Sequence, residues 1–374
     1  NKSSVVCPKC KSITKNIKID QCEDYLIALV HSSRGIGKIF SHPVKNSFPS
    51  KSMLTRMENK LAKELNIHIP RTFIPEWSGI MNPALYGINT HSEFLTPRQR
   101  VVLLILIKNL LLEFDRLKKQ YDLNTAKYTI GVLSSLIDQT IDWNCRLSMW
   151  IPQNEQVGRA FCGPGVSMIW DYAETDPVLT GPSNLWSKLN RIIAGVKSIN
   201  NLNGKCSVDH AVSQNLPFKN NFFDAIITDP PYYDNLYYCA LADFFYSWKR
   251  IVLSKIDPIL FKNETTTWKH ELVSSKKRNG SSEKAHEIYS EQLALSINES
   301  SRVLKKDGVF SFIYSHKAIN AWESFVNSFY HSPFIITSVQ PLSIERKQRP
   351  RAMKSEAVNT CLAFISRKTS IKKP

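Results

Sequence analysis

The chain has 374 residues, 43% of them hydrophobic, which is the composition of a globular protein with room for two or three compact units. Its 49 basic and 32 acidic residues leave a net charge of +17, which suits a polyanionic partner such as a nucleic acid. The longest apolar run, Val101 to Leu112, is broken by Lys108 and Asn109 and is too short for a bilayer, so no membrane partner is expected.

The start, Asn1-Lys-Ser-Ser, is polar and carries no secretory signal; lacking Met, it suggests a piece of a longer polypeptide. Eight cysteines in a chain of this size do not suggest a disulfide scaffold and point to a reducing, cytoplasmic setting. Cys7-Pro-Lys-Cys10 has the spacing of one zinc knuckle, with Pro8 helping to turn both sulfurs toward one point. A tetrahedral zinc needs four ligands, and no second pair follows: Cys22 is alone, and His31 and His42 have no partnered arrangement. The pair reads as half of a zinc ribbon whose other half lies upstream, with two free cysteines as the alternative. Residues 13–19, 25–30 and 37–40 read as short elements, and Lys45 to Ser52 as a loop.

From Ser52 to about Gln120 the pattern is helical. Met53, Leu54, Met57, Leu61 and Leu65 recur at helical spacing, as one buried face would. Thr96-Pro97-Arg98-Gln99 starts a second helix, with Thr96 as cap and Pro97 in the first turn, and its apolar content suggests a central position. Tyr128 to Thr140 reads as a third. Arg98, Arg100 and Arg146 read as structural or solvated residues in preference to phosphate ligands. Phe161-Cys-Gly163-Pro-Gly165 has a Phe-x-Gly-x-Gly pattern, but Gln156 to Ala160 before it makes a poor strand, so it does not read as a cofactor loop. Trp170, Asp171 and Glu174 are candidates for lining a groove or for a packed corner. A helix follows over 184–199, capped from Gly181-Pro-Ser-Asn184, and then a short strand, Lys205 to Val208, ending at Asp209.

The most informative stretch is Asp224-Ala-Ile-Ile-Thr-Asp229-Pro230-Pro231-Tyr232-Tyr233-Asp234-Asn235. Ala225 to Thr228 reads as a buried strand. Two prolines have no N–H for a sheet ladder, so the chain must leave the sheet there and Asp229 is held at the carboxyl end of the strand. In open α/β sheets that edge binds ligands. An aromatic-rich helix is expected over 240–250, and a polar, mobile loop over 262–282, whose Lys276, Lys277 and Arg278 would meet nucleic-acid phosphates. Helices over 282–304 and 318–329 and strands over 308–314, 334–340 and 361–366 complete an α/β alternation. Arg346, Lys347, Arg349, Arg351 and Lys354 crowd the connection between the last two strands.

The motif resembles the Asp-Pro-Pro-Tyr motif of amino-methyltransferases. Over most of its length the chain is similar to bacterial adenine-specific DNA methylases that contain a zinc ribbon. The resemblance rests on Cys7 to Cys10, Leu95 to Gln99, Met168-Ile-Trp-Asp-Tyr-Ala-Glu174, Thr228 to Asn235, Asp243-Phe-Phe-Tyr-Ser-Trp248 and Tyr314-Ser-His316-Lys317. It implies methyl transfer from S-adenosylmethionine to the N6 amine of adenine in DNA. Asp229, Pro230, Pro231 and Tyr232 would be catalytic, Tyr233 and Asn235 substrate contacts, and Asp209 a contact to the cofactor. It also implies a partial Rossmann-like methyltransferase sheet in the α/β class, with Asp229 on a central strand and the 361–366 strand antiparallel. A helical insert (51–180) and a half zinc ribbon (1–50) would precede the catalytic part (181–374). The family carries its glycine-rich cofactor loop in an N-terminal half with no counterpart here, so a second chain supplying that half is an expected partner. A non-catalytic nucleic-acid-binding subunit and an RNA-directed amino-methyltransferase are the alternative readings.

Overall fold

A computed structural model describes residues 4–33, 35–44, 48–74, 81–161, 165–179, 184–199, 203–342 and 361–370. The chain divides into two compact units, Asn1–Leu202 with Ala240–Thr266, and Asn203–Cys239 with Thr267–Pro374. Residues 240–266, expected within a C-terminal unit over 181–374, thus group with the first unit.

The first unit opens with two antiparallel hairpins, β1 (Ser4–Val6) with β2 (Ile13–Lys15) and β3 (Leu29–Ser33) with β4 (Gly37–Ser41). Helix α1 (Lys51–Leu65) is capped by Ser50, and α2 (Pro97–Gln120) by the expected Thr96, whose side chain accepts from Gln99 N while its own N–H donates to Gln99 Oε1. The expected apolar face of α1 is only partly buried. Leu54 is buried while Met53 is exposed, and the second buried residue is Glu58, held by Arg100 of α2. The third helical stretch is broken at Ser134 into α3 (Leu123–Leu133) and α4 (Ser135–Trp143). A small hairpin, β5 (Trp150–Ile151) with β6 (Gln156–Val157), and α5 (Leu185–Ile199), where Asn184 Oδ1 accepts from Ser187 N, follow. Phe94, Phe161, Phe244 and Phe245 pack edge to face or tilted, the last two from α6 (Tyr238–Ile256).

The second unit is mixed α/β. Its sheet has the order β7 (Phe223–Thr228), β8 (Leu304–Tyr314), β10 (Cys361–Lys368), β9 (Phe334–Leu342). β7 and β8 are parallel, and β10 runs antiparallel to both of its neighbours. Between the strands lie α7 (Lys276–Asn279), α8 (Ser282–Val303) and α9 (Ile319–Tyr330). Side chains alternate along β8, so Phe310, Phe312 and Tyr314 share one face and join Tyr289, Leu293 and Ile297 of α8 and Phe325 and Phe329 of α9 in the core.

Three expectations change here. β7 is the outermost strand among the described residues, not a central one. It is also not buried on both faces. Ile226, opposite Phe310, packs on the core, whereas Ile227, opposite Ser311, is 76% exposed. The apolar run Ala225 to Ile227 could not reveal this, because alternation in a strand sends neighbours to opposite faces whatever covers them. Lys205 to Val208 is irregular and exposed, not a strand. No helix among the described residues is long and apolar enough to cross a membrane.

Candidate active site

β7 ends at Thr228, and Asp229 follows at its carboxyl end, exposed, on the rim of a cavity of about 1000 Å³. The floor is apolar, with Ile226, Leu293, Ile297, Phe310 and Phe312; Thr228, Pro230, Pro231, Tyr238 and Glu271 line it too. The sheet edge and the proline pair together put the acid here, since the chain can neither continue the ladder nor turn freely.

The loop beyond is fixed from within. The Tyr232 hydroxyl donates to Asp229 Oδ1, and its ring packs edge-on against Tyr314, 5.5 Å between centroids. Burial, and then the neighbouring carboxylate, push the Tyr232 phenol well above its ordinary range, so it stays a donor. Tyr233 has a left-handed backbone (φ 50°), strained for a residue with a large side chain. It is held there by packing against Tyr289, His286 and His316, and its hydroxyl meets His286 Nδ1 at 3.1 Å. Tyr233, expected to touch substrate, is therefore a buried anchor of the loop. Asn235, partly buried, closes a turn with its N–H on the Tyr232 carbonyl at 2.9 Å. His316, just past β8, accepts from Ala318 N at Nδ1, so Nε2 carries the hydrogen directed at Asp234, 3.1 Å away.

The backbone carbonyls can be accounted for one by one. Pro231 accepts from the Tyr289 hydroxyl (3.1 Å), Tyr232 from Asn235 N (2.9 Å) and Tyr233 from Ser274 N (3.0 Å). Among the described residues no donor meets the Pro230 carbonyl. One carboxylate and one carbonyl, adjacent in sequence, are thus left for a ligand at the cavity rim.

The segment over 262–282, expected to be a mobile polar loop, is built into the fold. Leu272 to Ser275 are buried, and Ser274 N bonds Tyr233. Arg278 is spoken for as well: it donates to Glu271 at 3.0 Å, and Glu271 also accepts Cys239 N at 2.9 Å. Burial raises the Glu271 carboxyl above its usual range, and these donors oppose the shift. Lys276 and Lys277, by contrast, are exposed and remain candidates for phosphate contacts. The second basic cluster, Arg346 to Lys354, lies outside the described residues.

Two further candidates sit elsewhere in the sequence. Asp209 is exposed, takes the Ser207 hydroxyl at 2.9 Å, and immediately precedes the cavity-lining segment that begins at His210. Cys7 and Cys10 sit on the β1–β2 turn with Cys10 N donating to Cys7 Sγ at 3.4 Å. No group of three or more metal-ligating side chains occurs among the described residues, so this pair offers zinc two ligands of the four it needs. Gly163 of the Phe161–Gly165 stretch lies outside the described residues.

Sequence reasoning missed Tyr289, His286 and Glu271, and met His316 only within the matching stretch Tyr314 to Lys317, with no role given to it. The three missed residues carry no local signal: Tyr289 reads only as one more core position of an amphipathic helix. Compared with protein-family models, curated proteins and solved structures, the chain matches none.

Proposed function

We propose that the second unit carries the amine-accepting half of an S-adenosylmethionine-dependent methyltransferase acting on the N6 amine of adenine in DNA. The observation that carries this reading is the pair of acceptors at the cavity rim, the Asp229 carboxylate, with Oδ2 open, beside the Pro230 carbonyl, which meets no donor among the described residues. An exocyclic amine has two hydrogens and a lone pair delocalised into its ring. One hydrogen given to Asp229 Oδ2 and one to the Pro230 carbonyl draw the nitrogen toward a tetrahedral shape and localise the lone pair for attack. Tyr232, by holding Oδ1, orients the other oxygen toward the amine. The target base must be flipped out of its duplex to reach this rim. The net charge of +17, with Lys276 and Lys277 exposed, supplies attraction to the DNA backbone.

S-adenosylmethionine, when bound, supplies the methyl group. The described residues lining the cavity include no glycine that would let a backbone approach the methionine part. They fit the amine and not the whole cofactor, so a second polypeptide with a glycine-rich loop is proposed to complete the enzyme. The same partner is proposed to add two ligands to Cys7 and Cys10 if zinc is held there. The test is transfer of labelled methyl from S-adenosylmethionine to adenine-containing duplexes by the chain together with such a half. Transfer to N6 supports the reading; DNA binding without transfer would leave a nucleic-acid-binding subunit instead.

A further inference from the structure

Pro230 and Pro231 both line the cavity, so nearness alone does not decide which carbonyl receives the amine. We infer that Tyr289 decides it: its hydroxyl takes up the Pro231 carbonyl and leaves the Pro230 carbonyl to the substrate, an assignment that rests on the amino-methyltransferase reading above. Tyr289 is a positioning residue, since it acts through the loop backbone.

The argument starts with the torsions of the loop. Both proline rings lock φ, and Pro230, preceding a proline, is confined to extended ψ. The peptide that carries the Pro230 carbonyl therefore has little freedom. The next peptide, Pro231-Tyr232, is the first that can swing, through ψ of Pro231 and φ of Tyr232. The hydroxyl of Tyr289 donates to its carbonyl at 3.1 Å. The same hydroxyl accepts from Tyr233 N at 3.3 Å, so it grips the chain on both sides of Tyr232. Tyr289 is 0% exposed, and its ring lies edge-on to Tyr233 at 5.0 Å, where water cannot replace the bond. Burial also raises its phenol above the ordinary value, which keeps the donor protonated. Without this hydroxyl the Pro231 carbonyl would be left unpaired and free to swing into the cavity beside its neighbour. The amine would then meet two competing acceptors, and its geometry toward the methyl donor would blur.

Tyr289→Phe removes the hydroxyl and keeps the ring. Pro231-Tyr232 is the only Pro-Tyr pair in the chain, so labelling proline carbonyls with 13C and tyrosine nitrogens with 15N gives one correlation that reports the Pro231 carbonyl. Its carbon resonance should move upfield in the variant. Binding of adenosine and of purine riboside, which lacks the amine, is then titrated on the full chain. The wild-type chain should prefer adenosine about tenfold, the scale of one or two such hydrogen bonds. Tyr289→Phe should bring that ratio close to one and leave purine riboside affinity unchanged. Tyr246→Phe serves as the control, because its hydroxyl donates to the Asn263 carbonyl at 2.9 Å within the first unit and makes no contact with the loop; it should alter neither readout. An unmoved Pro231 resonance, an undiminished ratio in Tyr289→Phe, or an equal loss in Tyr246→Phe overturns the assignment and leaves the methyltransferase reading standing. A wild-type chain that does not distinguish the two nucleosides overturns that reading, and the positioning role with it.

Discussion

The two units share a rule for charged side chains, and one residue of the second unit breaks it. In the first, acids and bases are matched. Arg98 forks onto Glu174, Arg100 onto Glu58 and Arg146 onto Asp24, and Lys249 meets Asp138 at 2.6 Å. In the second, Glu271 and Arg278 follow the same rule, but Asp229 does not. It stands at an exposed strand end with a neutral hydroxyl as its hydrogen-bond donor, and no cation meets it among the described residues. Paired charges at partly buried positions fix helices and loops to one another. A lone carboxylate beside an apolar cavity contributes nothing comparable to the fold, and is best explained by what it can accept.

The largest expected effect breaks the second side of that comparison. Asp229→Ala should lower methyl transfer by the completed enzyme by ~10²–10³-fold or more, with DNA affinity and the unfolding midpoint little changed. Full activity of the variant with labelled cofactor would falsify the catalytic role.

A pH effect sharpens the first side. His91 is 3% exposed, and burial brings its pKa down to about 4, against the opposing bond of its ring to the Thr72 carbonyl. The unfolded chain takes up a proton near pH 6.5 that the folded chain refuses until about 4, so stability is full above 6.5 and falls as pH drops through that window. The loss should reach about 2–3 kcal/mol near pH 4.5, read as the difference in urea unfolding between wild type and His91→Gln. Parallel pH curves for the two proteins would show that His91 is not buried neutral.

Glu58→Gln should cost somewhat less, about 2 kcal/mol, because it weakens the two charge-assisted bonds from Arg100 on a group only 10% exposed. A change below the error of chemical denaturation would mean that the α1–α2 contact does not depend on this pair.

The smallest effect concerns reactivity and leaves stability untouched. The Ser12 hydroxyl, with help from the Ser12 backbone and the Cys7 thiol, lowers the exposed Cys10 thiol to about 7. The thiolate is the nucleophile, so alkylation of Cys10 should rise through pH 7 and level off, whereas buried Cys145, pushed up to about 12, should stay inert. Alkylation of Cys10 that keeps climbing past pH 8.5 would show that the turn does not favour its thiolate.

What the sequence determined by itself was local. The stop at Asp229-Pro230-Pro231, the cap and first turn at Thr96-Pro97, and the periods of α2, α8, α9 and the C-terminal strands all follow from rules that act within a few residues. Even the structural reading of Arg98, Arg100 and Arg146 could be reached that way, although their partners could not. Only the tertiary structure decided that β7 lies at the edge of its sheet, that Arg278 is bound to Glu271 and that Tyr233 is an anchor. It alone revealed that no donor among the described residues meets the Pro230 carbonyl. The reason is distance along the chain. The Pro231 carbonyl is capped from 58 residues away and the Tyr233 hydroxyl from 53, by side chains whose local pattern is that of ordinary helix core. A hydrogen-bond partner supplied by packing leaves no mark on the sequence around either end.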